Sequence, residues 1–187
     1  PQTAVPLTIG QPRSIKLVDD ILTGDKLVGL VASRNPELDE PGPEDLYEVG
    51  TVATVHRLMR APDGTVRLLV QGIERFRLGE VVETEPYLKA KIELIPEVEE
   101  ESLQVDALAR NARDQFSQIA EMIPSFPDEL IGSISSLADP LETTYTIANF
   151  QRMDLPDAQE ILSIDSTEAK LRKLVGLLVR ENHVLQL

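Results

Sequence analysis

Residues 46–76 read LYEVGTVATVHRLMRAPDGTVRLLVQGIERF, two strand patterns around a turn. Val49, Thr51, Ala53 and Val55 alternate with Gly50, Val52, Thr54 and His56, the period-2 rhythm of a pleated strand. Pro62-Asp63-Gly64 supplies turn chemistry, because proline presets φ and glycine accepts a positive φ. Thr65 to Gln71 is rich in β-branched and apolar residues and returns antiparallel. Gly72 reads as the end of that strand, and Ile73 to Arg77 as the start of the next. Arg75–Val82 and Tyr87–Ile95 read as two further strands, joined by Glu83-Thr84-Glu85-Pro86. Leu88, Ala90, Ile92 and Leu94 share one face of the last strand, alternating with Lys89, Lys91 and Glu93.

Upstream of this block, Leu7 to Gly10 is a short extended run. Ile15, Val18, Ile21 and Leu22 then recur at helical spacing and predict a helix over 13–22, with Ser14 as N-cap and Gly24 just past its end. Leu27 to Ala32 is a continuous apolar run that reads as a strand buried on both faces. Residues 33–48 carry three prolines and six acidic side chains and predict a loop. Leu38, Leu46 and Tyr47 are the apolar groups of that loop. Either they staple it to the sheet, or they stay exposed to contact a partner. The first half is therefore expected to be a strongly bent antiparallel sheet of five or six strands with one helix, forming a partly closed barrel.

Pro96 breaks the last strand, and the glutamate-rich run 97–101 marks a boundary between a β-rich lobe, 1–97, and a helical lobe, 98–187. Val105, Leu108, Ala109, Ala112, Phe116, Ile119, Ala120 and Ile123 hold the i, i+3, i+4, i+7 rhythm for five turns, until Pro124. Residues 127–137 and 140–150 predict two shorter helices, with Asp128, Glu129 and Glu142 near their N-termini, where the helix dipole favours anions. Leu155-Pro156-Asp157 opens another. Ser166 or Thr167 begins the last, with Leu171, Leu174, Val175, Leu178 and Leu185 on one face and Lys170, Arg172 and Lys173 on the other. Helices broken by proline turns predict an antiparallel bundle, so the whole chain is α+β.

The net charge of −14 over 187 residues disfavours nucleic acid and anionic membrane, since either needs a basic face. Arg57, Arg60, Arg67, Arg75 and Arg77 give the sheet some positive character within an acidic whole. Cysteine is absent, which rules out disulfides and thiolate metal sites. No apolar run approaches the roughly 20 residues of a membrane-spanning helix. No Gly-rich G-x-x-x-x-G-K-[ST] loop is present to cradle phosphates. His56 and His183 fall in different lobes and predict no zinc site; His56 is expected on the solvent face of the sheet. Adjacent carboxylates such as Asp19/Asp20 and Glu99/Glu100/Glu101 lie in solvated contexts and read as surface charge rather than an acid–base pair. No catalytic, cofactor or metal residue is assigned.

Gly50, Thr51, Ala53, Gly64, Val70, Gly72 and Arg75 form the pattern G-T-x-A, a hairpin, then V-x-G-x-x-R. With Arg13 and Ser14 before the first helix and Tyr47 and Val49 entering the strand, this resembles the N-terminal substrate-recognition domain of Lon proteases, the ATP-dependent AAA+ serine proteases. Leu155-Pro156 with Ile161-Leu162, then the leucines of the last helix, resemble the end of the same domain. The resemblance implies a β-rich lobe followed by helices, and a non-catalytic module that binds unfolded or damaged proteins and supports ring assembly. It implies that the ATPase and serine–lysine protease modules lie downstream, so the parent, not this chain, would use ATP and magnesium. It further implies a homohexameric parent, with this chain alone a monomer or weak dimer, in the bacterial cytosol or, alternatively, the mitochondrial matrix. The family's domain carries an earlier apolar strand ending in a phenylalanine-proline step, absent here, so one sheet edge is expected to be left unpaired. The last helix is expected to run on beyond Leu187. Leu38, Leu46, Tyr47, Tyr87 and Leu88 are the candidate substrate contacts, because loops and strand starts place them near the rim of the β lobe. The alternative is a stand-alone substrate-binding or receptor protein of the same type.

Overall fold

Alternating apolar residues build the first unit around one long strand. In the computed structural model, which describes residues 1–187, contacts divide the chain into Pro1–Pro96 and Glu97–Leu187. The elements of the first unit are β1 (Ala4–Ile9), α1 (Pro12–Leu22), β2 (Leu27–Leu30), β3 (Val49–Arg60), β4 (Val66–Glu83) and β5 (Lys89–Ile95), with a single 3₁₀ turn at Pro43–Asp45. All pairings are antiparallel, in the order β1-β4-β3-β2, and β5 also pairs with β4. One edge of β4 is thus shared: β1 takes Val66–Gln71 and β5 takes Arg75–Glu83.

Val66, Leu68 and Val70 of β4 are buried on one face, opposite Ile9, Leu7 and Val5 of β1. Ala53 and Val55 of β3 and Val18 of α1 complete that core, with Ile15, Ile21, Leu22, Val28, Leu30 and Leu58 packed around it. Two irregularities set which side chains face it. On β3 the register passes from Val55↔Val70 to Arg57↔Leu69, leaving His56 extra and exposed. The alternation flips there, so that even-numbered Leu58 joins odd-numbered Val55 on the core side. On β4 the register passes from Gly72↔Ala53 to Glu74↔Val52, leaving Ile73 extra. After it, Arg75 stands opposite Thr51 and is fully buried, while Phe76 stands opposite Gly50 with its ring over Gly29 and Gly50.

Several sequence expectations are corrected here. Gly72 does not end a strand, because the extra residue at Ile73 absorbs the bend and β4 runs on for 18 residues. The sheet does not close, since β2 and the β1/β5 edge never pair. The run at 27–32 is not buried on both faces: its strand is a four-residue edge with Leu27 exposed. Helix α1 starts at Pro12, which occupies N1, so Gln11 rather than Ser14 is the N-cap. Gly24 lies just past the C-cap Thr23, as expected, and the positive φ in this turn falls on Lys26. Arg75 is no part of a positive surface, being buried. In the hairpin, Gly64 does adopt a positive φ of 88°, as the turn requires.

The second unit holds α2 (Leu103–Glu121), α3 (Asp128–Ser135), α4 (Pro140–Phe150), α5 (Leu155–Ser163) and α6 (Thr167–Leu185). Side-chain oxygens of Ser102, Asp139 and Ser166 accept from backbone N–H groups in the first turns of α2, α4 and α6. Val105, Ala109, Ala112, Phe116, Ile119 and Ala120 of α2 face Leu171, Leu174 and Leu178 of α6, with Ile134, Ile147 and Ile161 contributed by the three short helices. Phe116 meets Phe126 edge-on at 5.7 Å between ring centroids. Lys173 bridges Glu160 at 2.9 Å and Asp157 at 3.2 Å, and those partners raise its pKa above the ordinary lysine value.

Two features of α6 differ from the sequence pattern. Leu185 is exposed, and Lys170 is completely buried. The Lys170 ammonium donates to the carbonyls of Ile161 (2.6 Å) and Leu162 (3.1 Å) at the end of α5. It also lies 3.4 Å from the Glu97 carboxylate and 5.1 Å from the centre of the Tyr145 ring. The Tyr145 hydroxyl donates to the same carboxylate. Glu97 therefore belongs with the helices rather than with the sheet.

Candidate functional site

The five sequence-derived contact residues separate into three environments. Leu38 lies in the acidic loop and is 41% exposed. Leu46 and Tyr47 are half-buried, because the loop is laced to itself. Arg34 N–H donates to Asp45 O at 2.6 Å, and Tyr47 N–H donates to Ala32 O at 3.0 Å. The Arg34 guanidinium sits 4.6 Å over the Tyr47 ring and donates to Leu46 O. For these two residues the stapling role is what the geometry displays, while Leu38 stays outside.

Tyr87 is only 8% exposed and so is not a rim contact. Its hydroxyl donates to Asp20 Oδ2 at 2.7 Å, fixing the start of β5 to α1. Lys16, one turn earlier on the helix, lies 3.1 Å from the other oxygen of Asp20. The Tyr87 hydrogen bond, and then the one from Lys16, holds the Asp20 carboxyl below its usual pKa. The same bond raises the Tyr87 phenol above its own. Leu88 is half-buried. A shallow cavity of about 300 Å³ lies close by, lined by Pro12, Arg13, Lys16, Glu40, Glu85 and Pro86. Its two cations face two carboxylates, and Arg13 is already engaged with Pro41 O at 3.0 Å.

Apolar surface also lies open further along β5. Ile92 and Leu94 are 46% and 52% exposed and stand on one face, opposite Leu78 and Phe76 of β4. The opposite face carries Lys89, Lys91 and Glu93, and the two lysines reach across to Glu83 (3.4 Å) and Glu80 (4.0 Å). The period-2 pattern had placed Leu88, Ala90, Ile92 and Leu94 together. Within that row Leu88 is half-buried beside the tethered Tyr87, and Ile92 and Leu94 are the more open pair. Ile73, on the irregularity of β4, and Val82 are exposed as well.

No cluster of three or more His, Asp or Glu is arranged to hold a metal ion. His56 and His183 are both exposed. No helix is long and apolar enough to cross a membrane. What the β unit offers is an apolar strip, an open backbone edge and a mixed-charge surface, all suited to holding a polypeptide.

A family model described as the ATP-dependent protease La (LON) substrate-binding domain matches residues 1–180. Among curated relatives, a Lon protease 1 of Herpetosiphon aurantiacus is 45% identical over 192 residues, covering all of this chain and 23% of the relative. A Lon protease of Dictyoglomus thermophilum is 38% identical, again over the whole chain and 24% of the relative. The chain thus spans about a quarter of the length of these relatives. Among solved structures, the N-terminal domain of a Mycobacterium avium complex Lon protease superposes with a TM-score of 0.75 at 18% identity, covering 96% of this chain and 91% of that one. A Lon N-terminal domain protein from Xanthomonas campestris gives 0.66 at 16% identity.

Proposed function

Since the chain belongs to the family of Lon substrate-binding domains, we propose that it captures unfolded or damaged polypeptides for an ATP-dependent serine protease and performs no chemical step itself. One observation carries the step from substrate binding to unfolded substrates: Ile92 and Leu94 project side by side from β5, each about half exposed. A native protein hides such side chains of its own, whereas an unfolded one offers them. Leu38, in its acidic loop, adds a second apolar point surrounded by negative charge. The excess of acidic groups favours clients that place basic residues beside apolar ones. ATP, magnesium and the serine–lysine dyad belong, in this reading, to the remainder of the parent, which assembles as a homohexamer. The setting is the bacterial cytosol.

The reading is tested by titrating the isotope-labelled chain with a reduced, unfolded protein and with the native form of the same protein. Amide shifts are expected on β5 and around Leu38 with the unfolded form only, and should shrink in Ile92→Ser/Leu94→Ser. Equal shifts with the native form, or none with either, would refute it. Purified chain is likewise expected to show no ATP turnover and no casein cleavage above an empty-vector control.

A further inference from the structure

We propose that β5 is a docking edge: an extended, basic-apolar client segment adds to it as a sixth strand, so that the client's backbone as well as its side chains is recognised. The inference rests on the substrate-binding reading above and names how that substrate is held. An edge strand presents a row of unpaired N–H and C=O groups, which only another extended backbone satisfies as a set. Three strands, β1, β2 and β5, border the sheet with one neighbour each, and their outer edges are not equivalent. On β1, Pro6 sits mid-strand and removes a donor. On β2 the edge is four residues long, too short to hold register. On β5 it is seven residues long and contains no proline, and its only backbone partner is β4.

Edge lysines normally deter pairing. Here Lys89 and Lys91 are drawn inward across the strand to Glu83 and Glu80, away from the free edge. The other face of β5 presents Ile92 and Leu94, so an added strand would lay alternate apolar side chains beside them and complete a cross-strand apolar row. The occupant follows from chemistry on both counts: a backbone free to be extended, and alternate apolar side chains. A net charge of −14 selects lysine or arginine for the intervening positions.

The test uses the whole chain and a seven-residue peptide alternating valine with lysine. Its control is the same peptide N-methylated at four consecutive central residues, which keeps the side chains and removes the donors on both of its edges. The unmodified peptide is expected to shift the amides of Lys89–Ile95, to slow their hydrogen exchange, and to leave Ala4–Ile9 untouched. N-methylation, and separately Ile92→Lys/Leu94→Lys, should each weaken binding at least tenfold. Equal binding of both peptides overturns the edge, and so does an unfolded protein that binds without perturbing β5; in either case the substrate-binding reading survives. Binding of neither peptide nor unfolded protein overturns both. If the β5 amides move with protein concentration alone, the edge pairs with a second copy and the client assignment fails.

Discussion

Replacing Lys170 by methionine keeps most of the side-chain volume and removes the ammonium. Lys170 is wholly buried, and Glu97, its carboxylate partner, has a side chain only 11% exposed. The substitution strips a cation from Glu97 and a donor from the Ile161 and Leu162 carbonyls at the end of α5. Taking one member from a buried ion pair costs about 3–5 kcal/mol, because the other charge stays out of water. At roughly 0.05–0.15 kcal/mol per residue, a unit the size of Glu97–Leu187 has about 5–14 kcal/mol of stability. Lys170→Met should therefore remove about a fifth of it or more. Adding Glu97→Gln removes the stranded charge while leaving an acceptor for the Tyr145 hydroxyl, so the double variant should recover about 2 kcal/mol or more. The assay is urea denaturation of the four proteins followed by ellipticity at 222 nm, where the helices dominate. A loss under about 1 kcal/mol for Lys170→Met would refute the argument, and so would strict additivity in the double variant.

Gly176 lies inside α6 with open space where a Cβ would go, so Gly176→Ala should stabilise the helical unit by about 0.5–1 kcal/mol, read as a raised urea midpoint. At Gly50 a Cβ would collide with the Leu30 carbonyl oxygen and lie 2.7 Å from the Phe76 ring; Gly50→Ala should loosen β2 from β3, seen as faster amide exchange at Val28 and Leu30. The Asp20–Tyr87 bond sets a pH window. Asp20 has a lowered pKa, so its contribution is present above about pH 3.9 and fades as pH falls through the lowered value. Tyr87 has a raised pKa, so its contribution is present below about pH 10 and fades as pH rises through the raised value. Tyr87→Phe should flatten both limbs of the stability profile of the β unit, and unchanged limbs would remove this bond as their cause.

What the sequence made legible was whatever repeats locally. The alternation in Val49–Val55 and the rhythm of Val105–Ile123 state their own buried faces, and the prolines at 140 and 156 mark helix starts because a missing N–H costs nothing there. Illegible were the places where one residue changes parity. His56 and Ile73 look like ordinary members of strands, yet each is the extra residue that turns the following side chains over. Gly72 was misread for a related reason: glycine within a strand marks an irregularity as readily as an end. Lys170 is the opposite case. It lies on the same i, i+4, i+8 row as Leu174 and Leu178, so the helical period already pointed it inward, and charge alone argued it outward. Its partner Glu97 stands among other glutamates far away in sequence, with nothing local to single it out. Among the contact residues, exposure was the hidden variable. Tyr87 and Leu94 both fall in the run read as the last strand, yet Tyr87 is buried with its hydroxyl on Asp20 while Leu94 is 52% exposed.

The size of the open surface bears on how such a domain works. Burying the exposed half of Ile92 and of Leu94 supplies about 2–3 kcal/mol together, taking roughly 1.5–3 kcal/mol for a full side chain. Three or four strand hydrogen bonds at a net 0.5–1.5 kcal/mol add about 2–6 kcal/mol. Ordering and association offset about 4–15 kcal/mol, so even the most favourable combination leaves one domain short of the roughly −8 kcal/mol of a micromolar complex. Alone, a surface of this kind binds a client weakly; several copies acting on one chain would hold it more firmly, each later contact being made at the roughly millimolar effective concentration a short tether provides. Weakness at one site and retention by many are then the same property.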